Sequence, residues 1–305
     1  MSQTSILIAS NDRDFADSLR QTFIEQRADI RIYLDGETGA DQASVAACWY
    51  PEQQLLQRYP GLKMLHSLAA GVDHLGPDLL ACGLPVCRIV DSQQKQGMLE
   101  YVLWGVLHYH RHFDQALHNQ KIQHWQRYPQ RPAQQLTVAV MGLGEIGAHV
   151  ALGLAQWGYR VVGWSRNQKS LAKVTTYCGE SAFAAFLNQA DILVNLLPLT
   201  PLTAGILNAQ LFQKLPLGAA LINAGRGEHV VDEDLIAALD QGRLRGAILD
   251  VFDEEPLAAK HPLWLHPKVS VTPHMASEAS NTAIVTQLLE NTRRLAQGLA
   301  LLHQI

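Results

Sequence analysis

The sequence predicts an α/β fold made of two doubly wound parallel-sheet domains. Short apolar runs alternate with helix-like segments, which is typical of parallel sheets covered by helices. The alternation is interrupted by a polar, proline-containing stretch and then starts again. The chain has 305 residues, of which 48% are hydrophobic. This length suffices for two cores of roughly 150 residues each.

Composition restricts the kind of partner. The formal net charge is -4, from 24 basic and 28 acidic residues, so the chain lacks the basic surface that binds nucleic acids or anionic membranes. No apolar run approaches the ~18 residues of a membrane span, and no signal sequence is apparent. The four cysteines are scattered without a C-x-x-C pair, which favours a reduced cytoplasm. The sequence thus predicts a cytoplasmic protein that binds a small molecule, with no nucleic-acid or membrane partner.

The first predicted domain comprises residues 1–97 and 277–305. Its strands are expected at Ser5–Ala9, Arg31–Leu34, Ser44–Trp49, Lys63–Leu68 and Val86–Val90. Helix-like spacing predicts helices at Asp14–Gln26, Glu52–Arg58 and Pro77–Leu80. A last helix, Glu278–Gln297, follows the final strand of the chain and is expected to return and cover this flavodoxin-like domain.

The second predicted domain comprises residues 98–276. It begins with a long helix, Met98–Trp125, which ends in the polar stretch "RYPQRPAQQ". A strand at Val138–Met141 then leads through glycines into an amphipathic helix closed by Gly158, and the second strand of this domain follows in "YRVVGWSR". Further strands are expected at Asp191–Asn195, Leu217–Asn223, Gly246–Leu249 and Lys268–Val271. We expect a cleft between the two domains.

Gly142, Gly144 and Gly147 form a G-x-G-x-x-G motif between that strand and that helix. In this context the glycines allow a tight turn, close approach of a pyrophosphate and close helix packing, which is typical of a Rossmann-like domain. The amides of Glu145 and Ile146, at the start of the helix, would face the pyrophosphate. The motif therefore predicts a dinucleotide cofactor in preference to a purely structural turn.

The segment "WSRNQK" predicts which dinucleotide binds. NAD sites usually place an acidic residue about 20 residues after the glycines, to bind the ribose 2′-hydroxyl. Here Ser165, Arg166 and Lys169 stand in that region instead. A hydroxyl and two cations suit a 2′-phosphate, since a guanidinium can bind two phosphate oxygens. We predict NADPH, and the alternative is a solvated basic loop in an enzyme that also accepts NADH.

Three polar residues follow predicted strands of the second domain. Arg226 lies in "NAGRG", Glu255 in "LDVFDEEPL" and His274 in "TPHMAS". With the glycine motif and the segments "SLAAGVDHL", "LLPLTPLTAGILN" and "NAGRGEHVVDEDLIAAL", the chain resembles the D-isomer specific 2-hydroxyacid dehydrogenase family. "WSR" after the second strand, together with Trp49 in "ACWYP", makes it most similar to the A-type glyoxylate/hydroxypyruvate reductases.

The resemblance implies a role for each of these residues. Arg226 would anchor the substrate, His274 would act as acid and base, and Glu255 would support His274. Asp250 would lie near the nicotinamide carboxamide, and the backbone of Ala70 and Gly71 would meet the substrate carboxylate from the first domain. The predicted cofactor-binding residues also include three that lie in the family motifs: Leu197, Pro198 and Ala224.

Physical chemistry supports the roles of the three polar residues. Hydride transfer to a 2-oxo group leaves an alkoxide, so the site needs a proton donor and a cation. A histidine beside a carboxylate keeps its proton more readily, and a planar guanidinium can bind a carboxylate and polarise the neighbouring carbonyl. The alternatives are a structural ion pair for Arg226, a solvated acid for Glu255 and a helix cap for His274.

One residue departs from the family pattern. The loop that usually reads S-x-G-A-G-V-D carries Ala69 in place of the first glycine. If that position requires a positive φ, the alanine is strained. The substrate is therefore less securely predicted than the reaction.

Two aromatic features admit more than one interpretation. Trp49 is expected either to close over a small substrate or to fill the core. His108 and His112 stand four residues apart on the predicted long helix, but without a third ligand we predict no metal site and prefer a helix surface or a subunit interface. The helix region Met98–Trp125 is expected to form a homodimer, and Trp125 could reach a neighbouring active site.

The sequence therefore predicts an NADPH-dependent reductase that converts small 2-oxo acids, glyoxylate or hydroxypyruvate, to D-2-hydroxy acids. One alternative is an NAD-dependent D-2-hydroxyacid or phosphoglycerate dehydrogenase, against which the basic loop argues. Formate dehydrogenase is another, against which Glu255 argues. A catalytically weak nucleotide-sensing protein is an alternative of a different class.

Overall fold

The computed structural model describes residues 5–26 and 29–305. In these residues the strands are β1 (Ser5–Ser10), β2 (Arg31–Leu34), β3 (Val45–Trp49), β4 (Met64–Ser67), β5 (Val86–Cys87), β6 (Thr137–Met141), β7 (Arg160–Ser165), β8 (Val174–Cys178), β9 (Ile192–Asn195), β10 (Ala219–Asn223), β11 (Leu244–Leu249) and β12 (Val269–Val271). The α-helices of the same residues are α1 (Arg13–Glu25), α2 (Leu55–Arg58), α3 (Gly76–Leu80), α4 (Ser92–His110), α5 (Phe113–Lys121), α6 (Glu145–Gln156), α7 (Phe183–Leu187), α8 (Ala209–Lys214), α9 (Asp232–Asp240) and α10 (Asn281–Gln297).

The strands form two parallel sheets, one in each of two units of the chain. The first unit comprises the residues up to Gln93 together with Ala279–Ile305, and the second comprises Gln94–Glu278. The boundaries expected after residues 97 and 276 lie close to these divisions. All the strand pairings are parallel. The predicted class of two doubly wound parallel-sheet domains is confirmed.

The first unit has the strand order β2-β1-β3-β4-β5, which is the order of flavodoxin-like folds. Its helix α1 begins after Asp12, whose Oδ1 accepts from the Phe15 amide at 2.9 Å. The helix α10 begins after Ser280, which caps it in the same way, and ends at Gly298 in the left-handed conformation. One face of α10, with Ile284, Val285 and Leu288, is buried in the core that also contains β1 and β4. The unit thus joins the two ends of the chain.

The second unit has the strand order β12-β11-β10-β9-β6-β7-β8. Its central strands β6, β9 and β10 are buried along their whole length, as strands covered by helices on both faces must be. The order of the strands reverses between the neighbouring strands β6 and β9, and Met141 pairs with Asn195 where these two strands end. Ligands of such sheets bind outside the carboxyl ends of the strands at this point. The loops after β6 and β9 therefore mark the candidate site.

Three elements differ from the sequence-based expectation. The single helix predicted at Met98–Trp125 is wrong, because α4 ends at His110 and α5 begins at Phe113. The break is at His112, whose backbone is left-handed with φ of 60°. Neither glycine nor proline stands there, so the local sequence does not predict the break. Strand β5 is shorter than expected and stops at Cys87, because the amides of Arg88 and Ile89 bond to loop carbonyls instead. Strand β8 was not predicted.

Two observations concern the environment of the chain. Among the described residues, no helix has the length and apolar character needed to cross a membrane. The four cysteines, Cys48, Cys82, Cys87 and Cys178, are all free thiols.

Candidate active site

The glycine loop lies between β6 and α6, at the point where the strand order of the sheet reverses. Gly142 has φ of 95°, and a Cβ there would lie 2.6 Å from the Leu196 carbonyl oxygen. A Cβ on Gly147 would lie 1.8 Å from the Gly142 carbonyl oxygen. A Cβ on Gly144, by contrast, would meet no atom of the described residues within 4 Å. Gly142 and Gly147 are thus required by the fold, whereas Gly144 leaves open space where a pyrophosphate would approach.

The first turn of α6 contains Glu145 and Ile146, whose amides are expected to face the pyrophosphate. The helix has no side-chain cap, because its N-cap residue is Gly144. The Glu145 carboxylate, which would repel an anion there, accepts from Lys95 Nζ at 2.5 Å. Lys95 thus compensates a negative charge at the end of the helix that attracts anions. Sequence reasoning missed Lys95, because it precedes the glycine loop by almost 50 residues in the chain.

The predicted 2′-phosphate loop follows β7. Arg166 and Lys169 are exposed, as binding of a phosphate requires. Ser165 is buried, and its hydroxyl donates to the Asn167 carbonyl at 2.7 Å. Its proton is therefore used inside the loop, and a phosphate would have to displace Asn167 to receive it. On the other side of the loop, Thr176 of β8 donates to the Lys169 carbonyl at 2.6 Å.

Three further predicted cofactor residues lie at the carboxyl ends of β9 and β10. Leu197 and Ala224 are buried, whereas Pro198 is exposed. The amide of Leu197 bonds to Asn195 Oδ1 at 3.3 Å, and the amide of Ala224 bonds to the Asn195 carbonyl at 3.3 Å. Both segments are therefore attached to the end of β9, next to the glycine loop.

Asp250 follows β11 and is 1% exposed. Its Oδ1 accepts from Thr272 Oγ1 at 2.6 Å and from the Met275 amide at 3.0 Å, and its Oδ2 accepts from the Ala276 amide at 2.9 Å. All three donors belong to the loop that carries His274. Asp250 thus organises this loop, and its expected proximity to the carboxamide stays a prediction.

His274 and Glu255 form a direct pair. His274 Nδ1 lies 2.7 Å from Glu255 Oε2, and Glu255 Oε1 accepts from the Phe252 amide at 2.9 Å. The other ring nitrogen of His274, Nε2, bonds to none of the described residues, and 47% of the side chain is exposed. The pair therefore presents a proton on Nε2 to an incoming group when the ring is charged.

The electrostatics of the pair favour a charged histidine. The hydrogen bond to Glu255 raises the pKa of His274 and outweighs the effect of partial burial and of the nearby Arg226 charge. Partial burial acts to raise the pKa of Glu255, but the hydrogen bonds from His274 and Phe252 and the charges of His274 and Arg226 lower it overall. His274 is thus an imidazolium up to a higher pH than an isolated histidine, and Glu255 is a carboxylate down to a lower pH than an isolated glutamate.

Arg226 lies in the loop after β10 and is partly buried. Its Nη1 donates to the Gly225 carbonyl at 2.7 Å. Its positive charge acts on the pKa values of both Glu255 and His274. The structure therefore brings the three predicted catalytic residues into one electrostatic neighbourhood.

The two glycines beside Arg226 approach the protein itself. A Cβ on Gly225 would lie 2.9 Å from Asn195 Nδ2, and a Cβ on Gly227 would lie 1.8 Å from the carbonyl carbon of Phe252. Gly227 thus allows the arginine loop to pack on the backbone that leads to Glu255. The contacts that require both glycines are therefore internal to the protein.

In the first unit, the predicted substrate residues are Trp49, Ala70 and Gly71. Ser67 Oγ lies 3.0 Å from the Ala69 carbonyl and 2.7 Å from the Gly71 carbonyl, and Arg88 donates to the Ala70 carbonyl at 3.2 Å. The amides of Ala70 and Gly71 have no acceptor among the residues the structure describes. They remain available for an anion.

The structure shows the backbone conformation of Ala69 and the packing of Trp49. Ala69 is absent from the described residues with positive φ, so the alanine in place of the family glycine is not strained. Trp49 is partly buried and packs on Phe15, with ring centres 6.1 Å apart, and on His74 at 4.9 Å. It is at least partly a core residue, and its contact with substrate stays a prediction.

His108 and His112 do not share a helix. His108 lies on α4 beside Trp104, whereas His112 stacks on Tyr128 and accepts from Arg245 Nη2 at 3.0 Å. Within residues 5–26 and 29–305, no group of three or more His, Cys, Asp and Glu side chains is placed to hold a metal ion.

The chain matches a family model over the second unit. Residues 103–276 match the model described as D-isomer specific 2-hydroxyacid dehydrogenase, NAD binding domain.

Solved structures match almost the whole chain. A D-isomer specific 2-hydroxyacid dehydrogenase family protein from Klebsiella pneumoniae 342 is 51% identical, with a TM-score of 0.95 over 100% of this chain and 98% of that chain. An enzyme of this kind from Xanthobacter autotrophicus Py2, in complex with NADPH and MES, is 36% identical, with a TM-score of 0.93 over 99% of this chain and 98% of that chain. An NADPH-dependent glyoxylate/hydroxypyruvate reductase from Sinorhizobium meliloti, in complex with NADP and sulfate, is 33% identical, with a TM-score of 0.91 over 99% of this chain and 98% of that chain.

Proposed function

This chain belongs to the D-isomer specific 2-hydroxyacid dehydrogenase family, and on that premise we propose that it is an NADPH-dependent reductase of small 2-oxo acids. As a family member it is an oxidoreductase that acts on the CH–OH group of 2-hydroxy acids with a nicotinamide cofactor. The observation that carries the proposal is the His274–Glu255 pair beside Arg226, in the same unit as the glycine loop. We propose glyoxylate and hydroxypyruvate as substrates, and D-2-hydroxy acids as products.

The residues of the second unit would divide the work of reduction. Arg226 would bind the carboxylate of the 2-oxo acid and polarise its carbonyl, because a planar guanidinium reaches two acceptors at once. Bound NADPH supplies the hydride. His274 would donate its Nε2 proton to the oxygen that becomes the hydroxyl, and Glu255 would stabilise the imidazolium until then. Catalysis by a positioned acid of this kind contributes about 10²–10⁴-fold.

The residues around the glycine loop fit a dinucleotide. Open space at Gly144, the uncapped start of α6 and the compensation of Glu145 by Lys95 all favour a pyrophosphate. Exposed Arg166 and Lys169, in place of an acid after β7, favour a 2′-phosphate and thus NADPH over NADH. The Xanthobacter and Sinorhizobium relatives hold NADPH and NADP. We infer that NADPH is the preferred cofactor and NADH a weaker one.

The remaining proposed substrate-binding residues lie in the first unit. The amides of Ala70 and Gly71, whose loop is held by Ser67 and Arg88, are suited to a carboxylate. Trp49 would limit the size of the acid, since an indole excludes water and bulk. These contacts rest on the family resemblance.

We also propose a homodimer formed through α4, α5 and the segment that follows. Large apolar side chains are exposed there, and the most exposed is Trp125 at 93%. The other members of this group are Trp104, Phe113, Leu117 and Ile122. Exposed apolar patches of this kind mark protein interfaces. Sedimentation of the purified protein should give twice the mass of the chain, and a monomer at micromolar concentration would contradict the dimer.

The proposed location is the cytoplasm. Four free thiols, two of them buried, suit a reducing compartment.

Initial rates with four acids and two cofactors test the proposed function. Purified protein is mixed with glyoxylate, hydroxypyruvate, pyruvate or phosphohydroxypyruvate, and with NADPH or NADH. We expect fast consumption of NADPH with the first two acids. A preference for NADH and the phosphorylated acid would instead indicate a phosphoglycerate dehydrogenase, and binding of NADPH without turnover of any acid would indicate a nucleotide-sensing protein.

A further inference from the structure

Three buried polar side chains lie beneath the arginine loop. Asn195 at the end of β9, Asn223 at the end of β10 and His229 beyond Arg226 are each 0% exposed. We call them the Asn–Asn–His cluster. Fully buried polar groups cost free energy unless they are hydrogen-bonded, so each needs specific partners.

The hydrogen bonds within the cluster fix the orientation of each side chain. Asn195 Nδ2 donates to Asn223 Oδ1 at 2.9 Å and to His229 Nδ1 at 2.8 Å. His229 Nδ1 therefore acts as an acceptor and carries no proton. The ring proton is on Nε2, which lies 3.4 Å from the Pro198 carbonyl. His229 is thus held as the neutral Nε2-protonated tautomer.

The cluster binds the backbone of Arg226 on both sides. The Arg226 amide donates to His229 Nδ1 at 3.2 Å, and the Arg226 carbonyl accepts from Asn223 Nδ2 at 3.0 Å. Gly225, the preceding residue, packs so closely that a Cβ would lie 3.2 Å from His229 Nδ1. The peptide groups around the arginine therefore rest on polar side chains with fixed orientations.

We propose that His229 is a positioning residue for Arg226, acting through the acceptor nitrogen Nδ1. The proposal rests on the proposed function, in which Arg226 binds the carboxylate of a 2-oxo acid. His229 is 0% exposed and so would not touch that acid. It holds the Arg226 amide, and so fixes the backbone position from which the Arg226 side chain extends. A misplacement of about 1 Å at such a group can cost about 10²-fold in rate.

Two variants separate the acceptor from the rest of the ring. In His229→Asn, the amide oxygen can stand where Nδ1 stands, so the bonds from Asn195 and Arg226 can persist. In His229→Gln, the longer side chain can reach toward Pro198, but no acceptor remains at the Nδ1 position. His110 provides the matched control, because it is a buried histidine of the same unit with both nitrogens bonded, to Tyr159 at 3.0 Å and to the Arg131 carbonyl at 2.7 Å. His110→Gln tests the effect of losing a buried histidine outside the site.

The measurements are the kcat and KM for hydroxypyruvate, the Kd for NADPH, and the Kd for oxamate, an unreactive analogue of a 2-oxo acid. We expect His229→Gln to lower kcat/KM by about 10²-fold and to weaken the binding of oxamate, with NADPH binding retained. His229→Asn and His110→Gln should stay close to the wild type in all of these. Wild-type kinetics in His229→Gln, or equal damage in His229→Asn, would overturn the proposal. If the wild type turned over no 2-oxo acid, the proposed function would fail instead, and unaltered oxamate affinity in His229→Gln would still overturn the role of His229.

Discussion

At the scale of single residues, the proposed acid His274 is held in an uncommon backbone conformation. His274 has φ of 49°, in the left-handed region that costs free energy for residues other than glycine. Its amide bonds to the Asp250 carbonyl at 2.8 Å, and its ring bonds to Glu255 at 2.7 Å. Because hydrogen bonds fix both its backbone and its ring, His274 can transfer a proton without first being oriented.

The pH dependence of reduction tests the role of Glu255. In the proposed mechanism His274 must be charged to give its proton, so kcat/KM should be constant at low pH and fall as the pH rises through the raised pKa of His274. Glu255→Gln removes the carboxylate that raises this pKa, and partial burial and Arg226 then lower it. We expect the fall in kcat/KM for hydroxypyruvate to move to lower pH in the variant. A fall at the same pH in both proteins would contradict the assignment of His274 as the acid.

Arg166 tests the choice of cofactor. Arg166→Asp removes the cation that we propose binds the 2′-phosphate and adds a repulsive charge, so the ratio of kcat/KM for NADPH to that for NADH should fall by about 10-fold to 100-fold. The matched control is Arg160→Asp, an equal change of charge at the opposite end of β7. If both variants shift the ratio equally, the effect is one of general charge, and the 2′-phosphate binds elsewhere.

At the scale of elements, the loop from Thr272 to Ala276 is fixed by bonds to one buried carboxylate. Tyr101 of α4 lies 2.6 Å from Thr272 Oγ1, which in turn donates to Asp250 at 2.6 Å. Because the threonine proton goes to Asp250, Tyr101 must donate its own proton to Thr272. A helix, a strand end and the histidine loop are thus joined by one line of hydrogen bonds.

Thr272→Val tests this line of bonds. The variant keeps the shape but leaves Asp250 with two donors, and it leaves Tyr101 without its acceptor. We expect kcat for hydroxypyruvate to fall about tenfold or more, since small misplacements of catalytic groups are costly, and the pH of the fall to move down as the His274–Glu255 pair loosens. Thr272→Ser retains the hydroxyl and should restore both. Unchanged kcat and pH profile in Thr272→Val would show that the loop is fixed without Thr272.

The sequence predicts the elements well where local patterns determine them. The buried strand β6 and the glycine turn after it follow from composition and spacing alone. Strand β8 escapes prediction because it is an edge strand in which only Val174 is buried, so its apolar signal is weak. The break at His112 escapes prediction because two contacts made by the folded chain stabilise it, the stacking of the ring on Tyr128 and the hydrogen bond from Arg245.

The candidate site shows the same division. Arg226, Glu255 and His274 can be found in the sequence because each follows a strand of one parallel sheet. Thr272, His229 and Lys95 cannot be found in this way, because their roles depend on hydrogen bonds to residues distant in the chain: Asp250, Asn195 and Glu145 respectively.

At the scale of the whole molecule, the first unit is made from both ends of the chain. His66 of β4 is 0% exposed, and its Nε2 lies 3.2 Å from Asn291 of α10. Asn291 also bonds to both backbone groups of Leu302, near the carboxyl terminus. A neutral His66 thus helps to attach α10 and the last residues to the sheet.

The stability of the first unit should depend on pH through His66. Burial lowers the pKa of His66 to about 4, below its ordinary value of 6.5. The unfolded chain therefore takes up a proton as the pH falls below 6.5, while the folded chain resists until about 4. Stability is complete above pH 6.5 and is lost on acidification, by about 2 to 3 kcal/mol at pH 4.5. In urea unfolding at pH 7.5 and 4.5, His66→Gln should lose less on acidification than the wild type, and equal losses would contradict the role of His66.

In the reaction we propose, His274 gives a proton to a 2-oxo acid reduced by NADPH. The most direct test is a single turnover of preformed enzyme–NADPH complex with hydroxypyruvate, for the wild type and His274→Ala, together with the Kd for NADPH. We expect both proteins to bind NADPH equally, and the variant to oxidise it at least about 100-fold more slowly, as for a lost general acid. D-Glycerate should form in the amount of NADPH consumed by the wild type. Equal rates in the two proteins would contradict the role of His274 as the proton donor, and no oxidation by a wild type that binds NADPH would contradict the proposed reaction.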